Sequence, residues 1–180
     1  MKQVLSGIVL GIFLLSANLL SAAPQPDIRL YDAQTEMSVF LTKSKTPGFL
    51  QYTNDRFSYQ VDIPDIFTKV VRIPHNDDGL VLCTADGQAS FRVSGGFNID
   101  TTELKQHFAQ AKAALPVAAA YAVQKDDFWV LSWLDQGKIY YRKFMLNNDY
   151  WCELELIYPE KQKSRFDKPV THSSKSLAGF

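Results

Sequence analysis

Apolar and polar side chains alternate most clearly between Phe128 and Tyr158, and that stretch predicts three consecutive antiparallel strands: Phe128 to Leu134, Lys138 to Leu146 and Tyr150 to Tyr158. The intervening turns, Asp135-Gln136-Gly137 and Asn147-Asn148-Asp149, use residues that tolerate positive φ or bond their own backbone. On the last strand Cys152, Leu154, Leu156 and Tyr158 share one face, with Glu153 and Glu155 on the other. The first strand is different. Trp129, Leu131 and Trp133 occupy one face and Phe128, Val130, Ser132 and Leu134 the other, so either both faces are covered or one is a binding surface.

Upstream, Phe57, Tyr59, Val61 and Ile63 line one face of a strand that Pro64 ends. Lys69 to Ile73 makes a short strand. Leu80 to Thr84 and Ala89 to Ser94 predict a hairpin around Asp86-Gly87, and Gly95-Gly96 is expected to loosen the chain after it. A helix is expected from near Thr101. Asp100 would be its N-cap and Glu103 the partner of a capping box, and Leu104, Phe108, Ala111 and Leu115 would form its apolar stripe. Pro116 ends it, and Val117 to Val123 reads as a strand. After Pro159, Phe166, Val170, Ser173 and Leu177 define a second amphipathic helix. Pro169 there belongs in a first turn capped by Asp167, or else it kinks the helix. The whole predicts an α+β architecture: a central, mostly antiparallel sheet of about six strands sandwiched by helices.

The first residues have the anatomy of an export signal: Lys2, an apolar run from Val4 to Leu20, then Ser21-Ala22-Ala23. Cleavage after Ala17, Ala22 or Ala23 fits, and no stable membrane span is expected afterwards. The chain thus divides into a signal peptide (1–23), a poorly defined arm (24–50) and one domain (51–180), with a periplasmic or secreted address. Basic and acidic residues balance at 19 each among 180, which gives no support to nucleic-acid binding. An exported chain with two cysteines, Cys83 and Cys152, allows a disulfide or two buried thiols.

Chemistry is harder to find. His75, His107 and His172 are scattered, there is no nucleophile elbow, and His107 is expected on the solvent side of its helix. The His75-Asn76-Asp77-Asp78-Gly79 cluster reads as a turn before it reads as a cation loop. Glu153 and Glu155 read as the solvent-facing side of a strand rather than a catalytic acid pair. No cofactor or metal is expected. The remaining candidates form a binding surface: Trp129, Trp133, Tyr140, Arg142 and Trp151.

The run Arg56-Phe57-Ser58-Tyr59-Gln60-Val61-Asp62-Ile63-Pro64, the Asp78-Gly79-Leu80-Val81-Leu82 and Asp86-Gly87 hairpin, the Lys138-Ile139-Tyr140-Tyr141-Arg142-Lys143 strand and Leu154 to Pro159 before a final helix resemble, in that order, exported bacterial proteins of the PsbP-like fold family. The resemblance spans about Gln51 to Leu177. It implies a sheet sandwiched by helices and a non-catalytic binding or assembly module. Taken with the absence of a catalytic constellation, it leads to the expectation of a monomer that binds an envelope protein or a small ligand. It supplies no catalytic motif. The alternative reading is an envelope hydrolase with a dispersed site.

Overall fold

A computed structural model describes residues 28–179. The predicted signal peptide and the first residues of the arm lie outside the described residues. Among the described residues, twelve strands, two α-helices and a short 3-10 turn follow one another. They are β1 (Ile28–Asp32), β2 (Met37–Lys43), β3 (Phe49–Asn54), β4 (Tyr59–Pro64), β5 (Lys69–Arg72), β6 (Gly79–Cys83), β7 (Ser90–Phe97), α1 (Leu104–Ala113), β8 (Tyr121–Gln124), β9 (Phe128–Asp135), β10 (Lys138–Leu146), β11 (Tyr150–Pro159), the turn Glu160–Gln162, α2 (Lys163–Ser176) and β12 (Ala178–Gly179).

The strands form two sheets rather than one. The seven-stranded sheet has the order β5-β6-β7-β11-β10-β9-β8, and the five-stranded sheet the order β1-β2-β3-β4-β12. The expected sheet of about six strands corresponds to the first. The second arises partly from the arm read as poorly defined: residues 28–43 form a hairpin whose Val39 and Leu41 are buried. Asp32 sews this hairpin to the larger sheet. Its carboxylate accepts the Ile73 amide at 2.8 Å and the Gln34 amide at 2.9 Å, bonds that hold its pKa below the ordinary carboxylate value.

The layers follow from strand periodicity. Leu80, Leu82, Phe91, Val93, Cys152, Leu154 and Leu156 point to the inner face of the seven-stranded sheet. There they meet Tyr52, Tyr59, Val61 and Ile63 of the smaller sheet and Phe166 and Val170 of α2. Helix α2 therefore shares its layer with a second sheet. Helix α1 lies alone on the outer face, against Trp129, Leu131, Trp133 and Phe144. The meander is as expected, and Gln136 and Gly137 take positive φ (48° and 72°) in its first turn.

Several local expectations fail for physical reasons. Gly95 and Gly96 belong to β7 and do not loosen it. A Cβ at Gly95 would fall 2.5 Å from the Tyr59 ring and one at Gly96 2.8 Å from the Trp151 indole, so both glycines make room for aromatic rings. The capping box does not form. Asn98 Oδ1 accepts the Thr102 amide, Thr101 takes a left-handed φ of 46°, and α1 starts at Leu104 with no side-chain cap. Pro169 lies inside α2, where it withholds one backbone donor. The disulfide is also corrected: Cys83 and Cys152 are free. Cys83 sits opposite Ser90, which sits opposite Ile157, five residues along β11 from Cys152. That offset is about 17 Å along the strand, well beyond the roughly 7 Å that a disulfide spans. Burial pushes the Cys152 thiol up to about 12, so it stays protonated and unreactive.

Candidate functional site

The two faces of the β8–β11 region differ in kind. On the outer face, register brings together all five residues expected to form a binding surface, but α1 covers part of it. Trp129 is fully buried and Trp133 is 5% exposed, so neither presents a surface. Leu104, Phe108, Ala111 and Leu115 of the α1 region pack over them. Tyr140, Arg142 and Trp151 remain half-buried at the margin. Tyr140 stacks on Trp133 at 4.9 Å, and the Arg142 guanidinium lies 5.5 Å from the Trp133 ring centroid.

Beside this cluster the outer face carries a ladder of charges. Glu153 pairs with Arg92 at 2.5 Å and Glu155 with Arg142 at 2.6 Å, and the crossed pairs lie at 3.7 and 3.8 Å. Both carboxylates are largely covered, because β11 is a central strand rather than the solvent-facing edge expected from sequence. Burial lifts the Glu153 carboxyl above its usual range, while Arg142 and Arg92 pull it back. The four charges pair with one another, although Arg92 Nε has no hydrogen-bond partner among the described residues.

The histidines do not converge. His107, expected in solvent, stacks on Phe144 at 3.9 Å, and burial and then Arg142 hold its pKa below the ordinary value. His75 is exposed, and the carbonyls of its loop are taken: Asn54 donates to Asp77 O and Tyr59 to Asp78 O. His172 meets Asp62 at 2.7 Å, and Ser44 also donates to Asp62 at 2.7 Å. The carboxylate thus stands between hydroxyl and imidazole, so no base is bonded to the Ser44 hydroxyl as a nucleophilic triad requires. Among the described residues no group of three or more His, Cys, Asp or Glu side chains could hold a metal ion.

The inner face holds an open groove. Register aligns Tyr121 with Ser132 and Ser132 with Tyr141, and a second row aligns Leu134, Ile139 and Tyr158. Alternation turns both rows toward α2, and Lys163, Asp167, Val170 and Thr171 form the opposing wall. The space between is about 440 Å³, within the range of small-molecule sites. Its charges sit at the mouth. Lys163 and Asp167 pair at 2.7 Å one helical turn apart, and Glu160 is exposed. Inside, Tyr141 bonds Ser174 at 2.6 Å and Ser132 donates to the Tyr140 carbonyl at 2.8 Å.

Other polar bonds hold α2 in place. The buried Lys143 ammonium donates to the carbonyls of Ser174 (2.8 Å) and Leu177 (3.3 Å) at the end of the helix, where a cation also complements the helix dipole. Ser173 donates to Asp62 O at 2.7 Å, and Ser176 accepts the Asp62 amide at 2.9 Å. Of the groove residues, the sequence places Ser132 and Leu134 on the second face of their strand, Tyr158 on the apolar face of the last strand and Val170 on the apolar stripe of the second helix. The available signal is the double-sided apolarity of Phe128 to Leu134, whereas the five candidate surface residues all lie on the other face of the sheet.

An α+β protein of two antiparallel sheets, with one helix outside and one beside the smaller sheet, is the class that this geometry defines. The chain matches no family profile, and no curated protein matches it in sequence. It is similar in structure to cyanobacterial PsbP (CyanoP) from Synechocystis sp. PCC 6803, with a TM-score of 0.55 and 11% identity over 77% of this chain and 96% of that one. The fold is therefore PsbP-like. Among the described residues no helix is long and apolar enough to cross a membrane.

Proposed function

We propose that this protein is an exported, non-catalytic binding module of the cell envelope and that it binds a small molecule in the groove between α2 and the β8–β10 end of the large sheet. The observation that carries this reading is the groove itself: about 440 Å³, apolar and aromatic inside, with its charged groups at the rim. Export rests on the apolar run Val4–Leu20 and the small residues after it. The hydrolase alternative draws no support from the geometry, since Ser44 and His172 both bond Asp62 rather than each other.

A thermal-shift screen of neutral amphiphilic small molecules tests the reading, with Thr171→Trp as the blocked control. Thr171 is exposed on the groove wall, so the indole fills space without disturbing the core. Ligands that raise the melting temperature of the unmodified protein but not of Thr171→Trp support it. A screen in which no compound raises the melting temperature, or in which Thr171→Trp responds equally, overturns it.

A further inference from the structure

Tyr158 is 4% exposed and lines the groove, its ring stacked on Phe166 at 4.8 Å, yet its hydroxyl has no hydrogen-bond partner among the described residues. A buried tyrosine normally finds a partner for its hydroxyl; here the hydroxyl is not sealed in the core but keeps contact with the open groove, where a ligand acceptor can replace water. The neighbouring hydroxyls of Tyr141 and Ser132 are both engaged. We infer that Tyr158 is the recognition group of the groove and that the ligand is an uncharged small molecule with an apolar body and one hydrogen-bond acceptor, such as a carbonyl, which this hydroxyl receives. The inference rests on the binding reading above and adds the chemistry of the ligand.

Four features fix that chemistry. Burial, with Asp167 and Tyr141 nearby, pushes the Tyr158 hydroxyl up to about 12, so it keeps its proton and donates at physiological pH. An anionic acceptor would meet Asp167 and the exposed Glu160 at the mouth, and Lys163 is already committed to Asp167. A cationic group deep in the groove would have to shed its water without a free carboxylate beside it. The rows Tyr121–Ser132–Tyr141 and Leu134–Ile139–Tyr158 offer ring and aliphatic surface to the ligand body.

The test uses the full-length chain and the fluorescent probe 6-propionyl-2-(dimethylamino)naphthalene, which is neutral, has an aromatic body and carries one carbonyl acceptor. Its partner probe is the same molecule with the carbonyl reduced to a methylene. The unmodified protein is expected to bind the carbonyl probe about three- to tenfold more tightly than the reduced one, the worth of one uncharged hydrogen bond. Tyr158→Phe is expected to lower affinity for the carbonyl probe by the same factor and to leave the reduced probe unchanged. The comparison of the two probes on the unmodified protein stands even if Tyr158→Phe folds poorly. Equal binding of both probes, lost together in Thr171→Trp, overturns the role of Tyr158 while the groove survives. No binding of either probe, or binding that Thr171→Trp leaves intact, overturns the groove and the inference with it.

Discussion

The two helices attached to the seven-stranded sheet are held in opposite ways. Helix α2 buries Phe166, Val170 and Ser173 and is tied by Lys143, Tyr141 and both ends of the Asp62 backbone. Neither helix has a side-chain cap, but α1 buries no residue fully, and it rests on its aromatic bed through half-buried apolar side chains. Beneath and beside it, the ring nitrogens of Trp129 and Trp133 and Nδ1 of His107 have no hydrogen-bond partner among the described residues. The difference teaches where a binding wall can be built. A wall must keep its shape while empty, and polar bonds from two strands, β4 and β10, give α2 that fixity. Helix α1 is a cover, held by area alone.

The largest expected effect is at α2. Phe166→Ala should cost about 3–5 kcal/mol, because a fully buried ring leaves a cavity between the two sheets. Phe108→Ala, the matching change on α1, should cost only about 1–2 kcal/mol, since that ring is half-buried. Urea denaturation of both variants measures the contrast, and equal losses would break it. Lys143→Met should fall between them at about 1–3 kcal/mol, because it leaves the Ser174 and Leu177 carbonyls without their donor in a buried place. The same variant should widen or blur the groove, seen as weaker binding of the carbonyl probe. Unchanged stability would mean that the ammonium is not what fixes the helix.

How far these features could be read from sequence follows from where their residues lie. The β9–β11 meander and the Asp86-Gly87 hairpin were legible because each strand carries its own alternation and each turn its own chemistry. The β1–β2 hairpin was not, since only Val39 and Leu41 on one strand and Asp32 on the other are buried, too few to stand out from a polar arm. The apolar stripe of α1 was read correctly, but its start was misplaced, because Asn98 rather than Asp100 takes the free amide. The candidate surface failed at Trp129 and Trp133, since sequence shows that a strand is apolar on both sides without showing which side a helix will cover. The groove was hidden for a related reason. Tyr121, Ile139, Tyr158 and Val170 come from separate elements, and each reads alone as an ordinary core or strand position.

The smallest expected effect is one of pH. Burial and Arg142 hold the His107 pKa below its ordinary 6.5, so the unfolded chain binds the proton more readily than the folded one. The stability that this contributes is complete above about pH 6.5 and is lost as the pH falls toward the folded value. Amide protection factors across residues 104–113, corrected for the slower intrinsic exchange at lower pH, should therefore fall on mild acidification while those of α2 hold, and His107→Gln should remove the pH dependence. An equal fall in both helices would point to global unfolding rather than release of α1.

Which face binds is decided most directly by amide and side-chain chemical shifts of the isotopically labelled chain titrated with the carbonyl probe. The account predicts shifts confined to Tyr121, Ser132, Ile139, Tyr158 and Val170, with the indole signals of Trp129 and Trp151 unmoved. Shifts centred on Trp129, Trp151 and α1, with the groove silent, would contradict it and return the binding surface to the outer face.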